Sequence, residues 1–108
     1  MALVRRKVST VKWPVQVSVP ADGGRFDKET YEGVFKNLGR AAIEELATQG
    51  DPELVRAVLT DWEGIEEEDG KPVAFNSKNL EEWIDNPHWL RGTTKAILEI
   101  LEEAAVKN

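Results

Sequence analysis

Few side chains in this sequence are both able to do chemistry and placed to do it. His88 is the only histidine, and it stands ahead of a helical stretch with no cysteine in the chain and no histidine or glutamate at ligand spacing. Metal binding and general-base catalysis both need such partners, so His88 reads as a surface residue. Ser9, Ser18 and Ser77 fall in strand or cap contexts, and none lies in a nucleophile-elbow sequence. Gly23-Gly24 lacks the further glycine and the Lys-Ser/Thr pair of a phosphate loop, so it reads as a turn. The acidic run Asp61, Glu63, Glu66, Glu67, Glu68 and Asp69 is the one place to argue for a cation. Calcium loops require oxygen ligands at fixed positions and a glycine at the sixth. Counted from Asp61, the fifth residue is Ile65 and the sixth Glu66; counted from Glu66, Gly70 falls fifth. The register fails both ways, and the run reads as a solvated turn that favours solubility. A glycosidase pair would need a sugar-sized cleft with further polar clusters, of which the sequence gives no sign. The reading is of no catalytic residue, no cofactor and no metal.

Four tryptophans, Trp13, Trp62, Trp83 and Trp89, are many for 108 residues. All lie on apolar faces at strand or helix period, which favours core packing. Tryptophan also dominates interface hot spots, so Trp13 or Trp89 is a candidate for facing a partner.

The positions of these side chains depend on a mixed set of elements. From Val11 the pattern is two-fold, with Val11, Trp13, Val15, Val17 and Val19 on one face and Lys12, Pro14, Gln16, Ser18 and Pro20 on the other. Pro14 and Pro20 lack amide donors, which predicts an edge strand. Residues 21–25 form a turn, and a second strand is predicted from about Lys28 to Lys36, giving a hairpin with a long loop. A short helix follows over Gly39–Gln49. Asp51, as cap, and Pro52 start another, in which Leu54, Val55, Val58, Leu59 and Trp62 fall at helical spacing up to Gly64. Ile65–Phe75 reads as a tight turn or very small hairpin around Asp69-Gly70. Asn76 and Ser77 cap a helix that stops at Asn86-Pro87, and a last helix runs from about His88 to Val106. Gly92 weakens that helix by about 1 kcal/mol relative to Ala. The fold class is therefore α+β, an N-terminal β-hairpin (11–36) followed by a small bundle of about four helices (39–106). Residues 1–10 read as a basic, flexible arm.

Composition bounds the partners. With 14 Lys and Arg against 20 Asp and Glu, the net charge is −6; the first twelve residues carry +4 and the other 96 carry −10. Phosphate neutralisation needs clustered bases, so nucleic acid is disfavoured as a partner. An acidic nucleic-acid mimic would spread carboxylates over a face, whereas here they concentrate in one loop. No apolar run approaches the roughly 20 residues needed to span a bilayer, so no membrane is expected and cytoplasm is the default.

Taken in order, the segments resemble the tail assembly chaperones of long-tailed bacteriophages and prophages. The resemblance covers residues 11–104. It rests on Trp13-Pro14-Val15-Gln16-Val17, on Trp62-Glu63-Gly64-Ile65, then Asp69-Gly70 and Pro72-Val73-Ala74-Phe75, and on Asn79-Leu80 before the Asp85-Asn86-Pro87 stop. The family's implied role is non-enzymatic. Such proteins bind the tape measure protein, a long helical chain, and keep it soluble until the tail tube protein polymerises around it. They act in the cytoplasm of the bacterial host and are absent from the mature virion. The resemblance also implies that this chain is the unextended product where a frameshift yields a longer one. It brings no catalytic residue and no defined binding motif. The last helix lacks the aromatic residue often found near the family's C-terminus, and the basic arm has no counterpart. Candidate contacts to the client, or to other copies in a homo-oligomer, are Trp13 on the hairpin edge and Trp89, Leu90, Ile97, Ile100 and Leu101 on the last helix. The alternative is a small structural tail or head-tail connector protein of the virion.

Overall fold

The computed structural model describes residues 2–3 and 9–106, so the basic triplet Arg5, Arg6 and Lys7 of the expected arm lies outside the described residues. Strands β1 (Thr10–Ala21) and β2 (Arg25–Lys36) pair antiparallel from Thr10 opposite Lys36 to Ala21 opposite Arg25. On β1 the alternating valines turn inward, with Val15 and Val17 buried, while Lys12, Pro14, Gln16, Ser18 and Pro20 are exposed. The connecting loop is shorter than expected. It is Asp22-Gly23-Gly24, with both glycines at left-handed φ (+84° and +76°), a conformation that other residues rarely adopt. The second strand therefore begins at Arg25 and not near Lys28. Its first six side chains are all exposed, so they carry no apolar alternation to announce it.

The larger correction concerns Leu59–Glu63. The helix that starts at Asp51 ends at Val58, and Leu59–Glu63 forms a third strand, β3, on the far side of β2. Leu59 and Trp62 are both buried although they stand three residues apart, which in a regular strand would send them to opposite faces. A bulge reconciles them. Phe35 pairs with Leu59 and Val34 with Asp61, leaving Thr60 as the extra residue. Thr60 donates its hydroxyl hydrogen bond to the Val34 carbonyl at 2.9 Å. The bulge thus gives a strand the inward spacing of a helix, and that spacing is what the sequence displays.

The four helices are α1 (Arg40–Ala47), α2 (Asp51–Val58), α3 (Ser77–Ile84) and α4 (Pro87–Val106). Gly50, not Asp51, occupies the N-cap of α2; Asp51 and Glu53 sit in its first turn, where acidic groups complement the helix dipole. Asn76 caps α3 by accepting from the Asn79 amide at 2.8 Å. Asn86 does the same for α4, accepting from the amides of His88 (3.0 Å) and Trp89 (3.2 Å), with Pro87 opening the helix. Between β3 and α3 the small hairpin is present: Val73 N–H donates to Ile65 O at 2.8 Å and Glu67 N–H to Lys71 O at 2.8 Å. Arg56 on α2 grips Glu81 on α3 through two hydrogen bonds of 2.7 Å, and also pairs with Glu53. The bond from Arg56 lowers the Glu81 carboxyl below its ordinary range.

Helix α4 packs on β1, joining the two ends of the described chain. The contact centres on Gly92. A Cβ there would sit inside van der Waals contact of the Gln16 carbonyl oxygen, 3.3 Å from its carbon and 3.4 Å from Val17 Cα. The glycine that costs the helix about 1 kcal/mol in propensity is the one that lets it touch backbone. Replacing Gly92 by Ala should therefore destabilise the protein, because prying α4 from β1 costs roughly 1–3 kcal/mol and outweighs the propensity gain. Urea denaturation of Gly92→Ala measures the balance; a higher midpoint would show that the close approach is not needed.

Candidate functional site

Aromatic side chains from five segments converge at the start of α4. Trp89, 1% exposed, stacks on Tyr31 of β2 with centroids 5.8 Å apart and planes within 10°. It meets Trp62 of β3 edge-on at 6.2 Å and lies 6.0 Å from Trp83 of α3. Phe75, from the loop before α3, completes the set with an edge contact to Trp62 at 4.9 Å. Such pairs add about 0.5–1.5 kcal/mol each beyond area burial. The polar atoms of the cluster are only partly satisfied. The Tyr31 and Thr93 hydroxyls share a 2.6 Å hydrogen bond, and the Trp62 indole N–H donates to the Val73 carbonyl at 2.7 Å. Burial holds the Tyr31 phenol well above its ordinary pKa, opposed in part by the Thr93 hydrogen bond. The Trp89 indole N–H is buried and has no acceptor among the described residues.

This cluster floors an open cleft of about 220 Å³ between the outer half of the hairpin and α3. Val19 and Pro20 form one wall, Gly64, Ile65 and Glu66 another, and Trp83, Asn86 and His88 a third. A second hollow of about 280 Å³ adjoins it, shares Glu66, Trp83 and Asn86, and extends along Glu67, Val73, Asn79 and Glu82. Among the described residues, no group of three or more His, Asp or Glu side chains is arranged to hold a metal ion. No described helix is long and apolar enough to cross a membrane.

The residues singled out from sequence do not form one surface. Trp89 and Ile97 (3% exposed) are core, so neither offers a contact face in this fold. Ile97 meets the half-buried Ile100 and Leu101 in a separate cleft with Phe35, Leu38 and Ile43. Leu90 is half-buried against the core, and Trp13 lies on β1 with its indole N–H 3.5 Å from Glu99. The cleft residues Val19 and Trp83 were not singled out, because a half-buried side chain has the same periodic signature as a buried one. Phe26 is 58% exposed beside His88 (centroids 5.7 Å) and carries no period at all.

No protein-family model, curated protein or solved structure matches the chain.

Trp89→Ala should cost about 3–5 kcal/mol of stability, the range for emptying a large aromatic site. Retention of the wild-type melting temperature would show that the cluster is not the core's anchor. Tyr31 folds as the neutral phenol, so its contribution is complete below the unfolded pKa of about 10 and is lost as pH rises beyond it. Melting temperature should accordingly fall from pH 9 to pH 11 more steeply in wild type than in Tyr31→Phe, a comparison that circular dichroism makes directly.

Proposed function

We propose that this protein is a non-enzymatic phage tail assembly chaperone that binds the tape measure protein and keeps it soluble for tail tube polymerisation. The observation that carries this reading is where the resembling segments fall. Trp62-Glu63-Gly64-Ile65, Pro72-Val73-Ala74-Phe75, Asn79-Leu80 and the Asn86-Pro87 stop contribute Gly64, Ile65, Val73, Asn79 and Asn86 to the lining of the cleft and the adjoining hollow, with Trp62 and Phe75 packed edge-on behind them. A soluble holder of an apolar chain needs an accessible apolar surface and enough charge to avoid self-association. The half-buried Trp83 provides the first, and a net charge of −6 the second. In this role the protein works in the host cytoplasm and leaves before the virion is complete, in contact with the tape measure protein, and with the tube protein or further copies of itself.

Co-expression with the tape measure protein of the same genome tests the proposal. The client should move from the insoluble to the soluble fraction and co-purify with the chain. Mass spectrometry of purified particles should then find the chain missing. Stoichiometric presence in particles would instead support the structural-component reading, that of a tail or head-tail connector protein.

A further inference from the structure

The two adjoining hollows make one continuous groove, and its chemistry is lopsided. Its lining combines apolar and aromatic side chains, Val19, Ile65, Val73 and Trp83, with the carboxylates of Glu29, Glu66, Glu67 and Glu82. No lysine or arginine lines either hollow. Lys12, Arg25, Arg40 and Arg56 are engaged elsewhere in ion pairs to Glu63, Asp27, Glu44, Glu53 and Glu81, and none of the four groove carboxylates has an ion-pair partner among the described residues. Trp89, beneath the same groove, keeps a buried indole N–H with no acceptor among the described residues. Each hollow is smaller than the roughly 300 Å³ at which small-molecule pockets begin, so each suits a side chain or two of a longer ligand.

We propose that this groove receives a basic amphipathic peptide segment of a partner protein. Apolar side chains of the segment seat against Val19, Val73 and Trp83, and its Lys or Arg side chains pair with Glu29, Glu66, Glu67 and Glu82. Unpaired carboxylates beside apolar side chains reward an apolar anchor flanked by positive charge and reject an acidic one. The inference deepens the chaperone reading, which supplies a protein client.

The probes are two fluorescein-labelled synthetic helical peptides with the same leucine stripe, one carrying lysines and the other glutamates at its polar positions. Anisotropy titration at moderate salt should show binding of the leucine-lysine peptide and none of the leucine-glutamate peptide. The triple variant Glu66→Gln, Glu67→Gln, Glu82→Gln should weaken binding about tenfold or more. A control triple with the same net charge, Glu44→Gln, Glu45→Gln, Glu102→Gln, should stay within about twofold, because these carboxylates lie outside the groove. In ¹⁵N spectra the indole resonance of Trp83, which lines both hollows, should move on saturation. Equal loss in both triples reduces the effect to bulk charge and overturns the groove, as does equal binding of both peptides. Dimerisation in sedimentation that disappears when residues 2–8 are deleted would assign the groove to a second copy and overturn a foreign partner. These titrations contain no tape measure protein, so their failure would leave the outcome of co-expression standing, and the reverse.

Discussion

Helix α4 touches the backbone of β1 at Gly92, and most of the architecture depends on that approach. With the axis held so near the strand, Trp89, one turn earlier, reaches under the sheet to stack on Tyr31, and Thr93 meets the Tyr31 hydroxyl. Ala96 and Ile97, one turn later, enter the same core. The contact also answers the hazard of an edge strand, whose unpaired backbone groups invite pairing with other chains; a helix laid along it covers part of that edge. Pro14 and Pro20, without amide donors, blunt the same strand.

Charge is organised with equal economy, and most of it is kept off the core. The outer face of the sheet is polar, and Glu32 stands directly across from Glu63, a like-charge pairing that disfavours the register. Lys12 answers it from β1 by bonding Glu63; that hydrogen bond first, and the charge of Glu63 next, raise the lysine pKa, with smaller help from Glu32 and Asp61. These are exposed groups and contribute little to stability. Their arrangement matters more for register. Glu66, Glu67 and Glu82, by contrast, have no ion-pair partner among the described residues, and it is this asymmetry that gives the groove its character.

How much of this was legible depended on whether one residue's period answered to one neighbour. The β1 alternation, the Asn76 cap and the Asn86-Pro87 stop are local devices, and they read correctly, although the same pair also opens α4. The small hairpin around Asp69-Gly70 was legible for the same reason. β3 was not, because its inward residues are set by a bulge whose partner, Val34–Phe35, lies some 25 residues away. The start of β2 was hidden because its backbone is satisfied by β1 while its side chains face solvent. For the candidate site, the abundance of tryptophan pointed to the right residue type. It did not separate Trp89, sealed in the core, from Trp83, which is open to the groove. That difference comes from the crossing of α3 and α4, a tertiary fact with no local signature.

The pairing of β1 with α4 also orders events during synthesis. The hairpin leaves the ribosome first and can close at once on its three-residue loop, but its valine face has no lasting cover until the final helix has emerged. Between those moments the nascent chain must tolerate an uncovered strand, its prolines already in place. A protein proposed to shelter another's apolar surface thus passes through a stage of synthesis with one of its own exposed, until α4 closes onto β1.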